Sequence, residues 1–262
     1  MTSATVKVMN KASSVFTIQG PGRGILCLHG FTGTPYEMKY LGSRFLDKGW
    51  SVHIPRLPGH GTCLKEMLKT GFRDWLTAAR EAYIELTSLC DPTYIVGLSM
   101  GGIIAIHIAA EFPIEKVVLI SVPRTFKEKT IYLAPIFGRF IPIVPSRDES
   151  KGVLDEEARA MHVCYDEGVP VRQAWQVFRA AKRAMRLLPH VTADALIIQS
   201  RLDHVIPPDS IDYIYTRIGS KEKRKVFLDH SGHTATVDCE KSLLADIVID
   251  FFEGERNSEG TG

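Results

Sequence analysis

The sequence predicts an α/β protein with a mainly parallel central sheet, helices on both faces and one irregular insertion. Three observations carry that prediction. Short apolar runs at residues 25–28, 94–97, 116–121 and 195–199 have the unbroken hydrophobicity of strands covered on both faces. Segments with helical spacing alternate with these runs, which calls for right-handed crossovers and parallel pairing. At mid-chain, Tyr94-Ile95-Val96-Gly97-Leu98-Ser99-Met100-Gly101-Gly102-Ile103-Ile104 reads as a buried strand, an abrupt turn and the start of an apolar helix.

Taken in order, residues 5–9 and 15–18 alternate enough to be short strands at the sheet's edge, and Gly20-Pro21-Gly22-Arg23-Gly24 is a turn. The strand at 25–28 empties into His29-Gly30-Phe31-Thr32-Gly33-Thr34-Pro35. Residues 36–48 have helical spacing (Met38, Leu41, Phe45, Leu46) and stop at Gly49. A strand at 50–54 leads into Pro55-Arg56-Leu57-Pro58-Gly59-His60-Gly61-Thr62, too rich in Gly and Pro for regular structure. A long helix is expected over 74–89, with Asp74 as N-cap and Leu76, Ala79, Tyr83 and Leu86 on one face. After the abrupt turn and helix that follow residue 97 and the strand at 116–121, the rhythm breaks over residues 124–169, where an apolar run at 131–145 is interrupted by prolines and Gly138. Regular structure resumes with a basic helix at 171–188, a strand at 195–199, a helix at 210–218, a strand at 225–228 and a helix at 241–252. The polar tail, residues 254–262, is expected to be disordered.

Composition narrows the classes. With 262 residues and 45% hydrophobic content, the chain is enough for one large domain, with 124–169 as an insertion within it. A net charge of +2 from 32 basic and 30 acidic residues gives no electrostatic case for nucleic acid. The five cysteines are odd in number and lack metal-type spacing, which favours free thiols in a reducing compartment. The first 20 residues lack a secretory pattern, and no apolar run reaches the roughly 18 residues that cross a bilayer. The expectation is a cytoplasmic protein that uses no metal and no cofactor.

The chemistry centres on Gly97-Leu98-Ser99-Met100-Gly101, the G-x-S-x-G pattern of a nucleophile elbow. A serine at such a corner has strained backbone angles, and the flanking glycines leave room for neighbouring backbone. The helix that follows brings free N–H groups and partial positive charge to the place where an oxyanion would form. Serine needs a base, and the base needs an orienting carboxylate; in this architecture they follow in the order acid, then histidine. Asp203 stands just past the strand at 195–199, where open α/β sheets place their sites. Asp209 and Asp212 fall where a helix begins, and Asp194 lies at the wrong end of its strand. His233 follows the last strand; His230 is its rival, and His233 is favoured because the added residues let it reach back over the sheet. His29 and His60 border the cleft and are read as structural. The oxyanion donors are expected to be the main-chain N–H groups of Met100 and Phe31.

On His29–Pro35, Pro55–Thr62, Gly97–Gly102, Asp203–Pro208 and His233, the chain resembles the bacterial monoacylglycerol lipases and small carboxylesterases of the α/β-hydrolase fold. The likeness spans residues 24–252. It implies Ser99, Asp203 and His233 as a catalytic triad, Phe31 and Met100 as oxyanion donors, and residues 124–169 as a cap over the site. The expected reaction is hydrolysis of carboxylic esters of short-to-medium acyl chains, with monoacylglycerols as the candidate substrates, through an acyl-enzyme on Ser99; thioesters, amides or acyl transfer are alternatives for the same triad, as is a small-ligand-binding protein without turnover. Of the crowded apolar residues in the cap, Ile136, Phe137, Phe140 and Ile141 are assigned to the acyl chain, with some apolar surface left for lipid or micelles.

Overall fold

The computed structural model describes residues 12–127, 129–138, 140–145, 152–161 and 168–254. In chain order the elements before the insertion are β1 (Val15–Thr17), β2 (Gly24–Leu28), α1 (Tyr36–Asp47), β3 (Ser51–Ile54), α2 (Leu64–Met67), α3 (Phe72–Thr87), β4 (Thr93–Leu98), α4 (Met100–Ala109) and β5 (Lys116–Ile120). A 3-10 turn at Lys129–Leu133, α5 (Ala134–Phe137), β6 (Ile143–Val144), α6 (Glu156–Met161) and β7 (Val169–Pro170) occupy the insertion. Then follow α7 (Val171–Leu187), β8 (Asp194–Ser200), α8 (Ser210–Arg217), β9 (Lys223–Leu228) and α9 (Lys241–Glu253).

The main sheet has seven strands in the order β1-β3-β2-β4-β5-β8-β9. Only the edge strand β1 runs antiparallel, against β3; the other pairings are parallel. The chain steps outward from β2 to β3 and then back across to β4, so the order reverses between β2 and β4. A crevice opens at such a reversal, at the carboxyl ends of the strands. Leu28 pairs with Gly97, so the loop after β2 and the elbow after β4 leave the sheet side by side.

Period-two alternation sends neighbouring strand residues into opposite cores. Leu26 and Leu28 join α3, α4 and α7 on one face, while Ile25 and Cys27 join α1 and α9 on the other. Each helix presents the stripe that its spacing requires: Met38, Leu41 and Phe45 on α1, and Leu244, Val248 and Phe252 on α9. Every residue of α4 is buried, because it lies under both α3 and α7, and its sequence is accordingly apolar all round. Burying one such Ile or Leu contributes about 1.5–3 kcal/mol.

The structure corrects one start point. α3 begins at Phe72, and Asp74 is its third residue rather than its N-cap: Gly71 N–H donates to Asp74 Oδ2 at 2.8 Å. The carboxylate reaches back to the orphan donor from inside the helix. Two short helices, α2 and α6, lie in stretches whose sequence gave no periodic signal. The proline-broken run at 131–145 stays out of the main sheet, and Ile143–Val144 pairs antiparallel with Val169–Pro170 as a separate ribbon. The expected strand at residues 5–9 lies outside the described residues, as does the tail beyond Gly254.

Candidate active site

Ser99 stands between β4 and α4 with φ 53° and ψ −112°, a left-handed backbone that non-glycine residues avoid. Its N–H donates to Ile120 O of β5 at 2.8 Å, which pins the corner to the sheet. The glycines around it are forced by packing. A Cβ on Gly101 would sit 2.1 Å from Leu28 O, and one on Gly97 would sit 2.4 Å from Gly101 O. The motif is therefore a solution to two close backbone approaches.

Three loops at the carboxyl end of the sheet meet over this corner. His233 Nε2 lies 2.9 Å from Ser99 Oγ, and His233 Nδ1 lies 2.7 Å from Asp203 Oδ2. The other carboxylate oxygen of Asp203 accepts the N–H groups of Val205 at 2.8 Å and Ile206 at 3.1 Å. These bonds hold a carboxylate that is only 4% exposed. Burial alone would raise the Asp203 pKa, but the charge and hydrogen bond of His233, with those two N–H groups, hold it below its ordinary value. Burial would likewise lower the pKa of His233; the Asp203 charge and hydrogen bond, aided by Glu37 and opposed by Lys127, raise it above 6.5. With Asp203 accepting at Nδ1, the proton belongs on Nδ1 and the Nε2 lone pair faces Ser99.

His230 is exposed, and its backbone N–H goes to Glu240 at 2.8 Å, so it stays away from Ser99. Asp209 pairs with Arg124 at 2.8 Å and Asp212 pairs with Lys225. Met100 opens α4 directly after Ser99, and Phe31 lies in the loop after β2. His29 is fully buried: Nδ1 lies 2.9 Å from Gly30 O, and Nε2 accepts Leu57 N–H at 3.3 Å. His60 packs edge-on against His29 and Trp75, with ring centroids 4.9 and 5.1 Å away. Burial lowers the pKa of both histidines, so they act as neutral braces between the loops at 29–35 and 55–62. In the insertion, Phe140 and Ile141 face outward, 78% and 51% exposed. Ile136 and Phe137 lie in α5, and their side chains are outside the described residues.

Sequence reading missed three residues that shape this site. Glu37, in the first turn of α1, is 4% exposed and accepts Gly30 N–H through Oε2 at 2.7 Å. Asp238 accepts four N–H groups: Gly232 at 2.6 Å, Leu154 and Cys239 at 2.9 Å, and Asp155 at 2.8 Å. It thereby ties the loop bearing His233 to residues 154–155 of the insertion. Lys127 Nζ donates to Asp203 O at 3.1 Å. Glu37 reaches back seven positions, Asp238 reaches 84 positions to Leu154 and Lys127 reaches 76 positions to Asp203, and no local motif marks such a role. Among the described residues no cluster of three or more His, Cys, Asp or Glu could hold a metal, and no helix is long and apolar enough to cross a membrane.

The fold and corner define an α/β-hydrolase-fold protein with a serine nucleophile elbow. The chain belongs to the family described as serine aminopeptidase, S33, which it matches over residues 20–240. It is 31% identical to a thermostable monoacylglycerol lipase of Bacillus sp. (strain H-257) over 245 residues, covering 94% of this chain and 96% of that protein. It is 25% identical to a carboxylesterase of Bacillus subtilis (strain 168), covering 91% and 95% of the two chains. A solved structure from work on the metagenome-derived lipolytic enzymes LipS and LipT superposes with TM-score 0.85 at 32% identity, covering 94% of this chain and 98% of that one. A soluble variant of monoglyceride lipase from Saccharomyces cerevisiae has TM-score 0.76 over 97% of both chains at 15% identity, a likeness of fold.

Proposed function

We propose that this protein hydrolyses carboxylic esters of short-to-medium acyl chains, monoacylglycerols foremost, through an acyl-enzyme on Ser99. The observation that carries the reading is the continuous hydrogen-bonded series Ser99–His233–Asp203 at the N-terminus of α4. The names of the curated relatives support esters as the substrate class.

In the proposed reaction, His233 Nε2 takes the Ser99 hydroxyl proton as Oγ attacks the ester carbonyl. Asp203 holds the ring in the required tautomer and stabilises the imidazolium. The N–H groups of Phe31 and Met100 receive the oxyanion of the tetrahedral intermediate. Collapse expels the alcohol, which takes its proton from His233, and leaves the acyl group on Oγ. Water then repeats the cycle: His233 removes its proton, hydroxide adds to the acyl carbon, and Ser99 departs as the alcohol with that proton. Ile136, Phe137, Phe140 and Ile141 are assigned to the acyl chain, which would cover the exposed side chains of Phe140 and Ile141. Apolar cap surface would also meet lipid or micelles. Four free thiols in the described residues, Cys27, Cys63, Cys90 and Cys239, support a reducing, cytoplasmic setting.

The family's description as aminopeptidase keeps amide hydrolysis as the second reading. Fluorophosphonate labelling and turnover of p-nitrophenyl esters, monoacylglycerols and aminoacyl amides test both. Labelling and ester turnover should vanish together in Ser99→Ala with the melting temperature retained. Ester turnover that persists in Ser99→Ala would overturn the mechanism, and faster cleavage of aminoacyl amides than of esters would overturn the substrate class.

A further inference from the structure

The exposed face of α7 carries Arg172, Arg179, Lys182, Arg183 and Arg186, and the 17-residue helix contains no acidic residue. Helical spacing puts these five cations on one ridge, opposite the buried stripe of Gln173, Val177, Ala180, Ala181 and Ala184. From Arg172 to Arg186 the ridge is about 21 Å long at 1.5 Å per residue. Arg73 and Arg80 of α3 face it across a groove of about 970 Å³, and among the described residues no carboxylate lines that groove. Of the seven cations, Arg80 alone makes an ion pair among the described residues, with Glu111. A chain of net charge +2 has thus gathered seven positive charges on one seam. Neither the ester chemistry nor the packing of the core uses them.

Along the other flank of α7 runs the cap. Val171 N–H donates to Pro142 O at 3.0 Å, and Tyr132 packs edge-on against Phe178 with centroids 5.0 Å apart. Lys182 Nζ lies over both rings, at 5.4 and 4.8 Å from their centroids. On this flank Tyr132, Leu133, Phe140, Ile141 and Val144 are all exposed. Five large apolar side chains within 13 residues of one segment are more than scattered surface hydrophobics. The molecule therefore presents an exposed apolar segment beside the cationic ridge, joined at Lys182.

We propose that this face is a docking surface for an anionic lipid bilayer, with the α7 cations on acidic headgroups and the exposed cap residues at the acyl boundary. Charge complementarity selects the partner, and the adjoining apolar strip selects a bilayer over a soluble polyanion, which would fill the groove and leave the cap bare. The surface deepens the ester-hydrolase reading, since it would bring the cap to the phase where lipid esters reside. Each Lys or Arg near an acidic leaflet raises partitioning about fivefold. Bound residues within a Debye length of the headgroups also make the contact sensitive to salt.

The test is co-sedimentation of the full chain with vesicles of phosphatidylcholine alone and of phosphatidylcholine with phosphatidylglycerol. The expected result is at least tenfold tighter binding to the acidic vesicles, lost in half-molar salt. Arg179→Glu/Arg183→Glu/Arg186→Glu should weaken that binding about a hundredfold or more, while kcat/KM for a soluble acetate ester stays unchanged. Should the triple variant fold poorly, Arg179→Gln/Arg183→Gln should still weaken it about 25-fold. Equal binding to the two vesicle types, or binding untouched by these substitutions, would overturn the proposal. So would one-to-one binding of tripolyphosphate without vesicle binding, which would mark a site for a soluble polyanion. Sedimentation needs no turnover, so failure of the docking proposal and failure of the ester reading are read separately.

Discussion

At the scale of the residue, the decisive groups around Ser99 are those that fix charge and aim. His233 has its pKa raised above 6.5, chiefly because the Asp203 carboxylate outweighs the cost of burial. Only the neutral ring can accept the Ser99 proton, so activity should fall as pH drops through that raised value. The acid limb of kcat/KM should therefore lie above pH 6.5. Glu37 adds to the same field, and Lys127 opposes it. Glu37→Gln keeps an oxygen for Gly30 N–H and removes the charge, so the acid limb should move to lower pH with kcat on the plateau little changed. A pH profile identical to that of the parent would show that Glu37 matters only as a hydrogen-bond acceptor. Asp203→Asn should keep the shape of the site but favour the wrong tautomer of His233, with kcat reduced by about 10⁴.

At the scale of the element, the site depends on loops held by main-chain contacts. Asp238 is the clearest case, because one carboxylate serves Gly232 beside His233 and Leu154 and Asp155 of the insertion. An amide has one acceptor oxygen where the carboxylate has two. Asp238→Asn should leave buried N–H groups unpaired at about 1–3 kcal/mol each, lowering the melting temperature by several degrees. It should also loosen His233 and lower kcat. The four N–H groups that hold Asp238, against the opposing effect of burial, depress its pKa below 3.8. Its contribution is thus full above that value and is lost as pH falls through the depressed pKa. The stability gap between parent and Asp238→Asn should narrow in acid, and thermal unfolding across pH measures it. A gap that stays constant down to pH 2 would rule out the charged form as its source.

At the scale of the whole molecule, the sheet gathers three loops at one end, and the insertion between β5 and α7 supplies exposed apolar side chains. Phe140 and Ile141 contribute no buried core, being 78% and 51% exposed. Phe140→Asp and Ile141→Asp should therefore leave the melting temperature nearly unchanged. If these side chains cover the acyl chain, kcat/KM should fall for medium-chain esters and hardly at all for acetates. Each lost methylene contact is worth up to about 0.8 kcal/mol, so the loss should grow with chain length. An equal loss at every acyl length would remove them from the acyl site.

What the sequence determined by itself is whatever rests on periodicity and local turn chemistry. Apolar runs of strand length, helices of 3.6 spacing and the glycines of the elbow each report their own surroundings, so the parallel sheet and the corner at Ser99 were legible. Asp203 and His233 were legible because each follows a strand at a place the topology prescribes. The start of α3 was misread because Asp74 caps from inside the helix, which local sequence does not distinguish from capping at its boundary. Glu37, Asp238 and Lys127 were invisible for a different reason. Glu37 bonds a residue seven positions away, Asp238 reaches 84 positions to Leu154, and Lys127 reaches 76 positions to Asp203. The cationic seam is likewise divided between α3 and α7, a hundred residues apart in the chain. Interactions of that range exist only once the sheet order has been set, because hydrogen bonds and Coulomb fields act through space while sequence patterns record only neighbours along the chain.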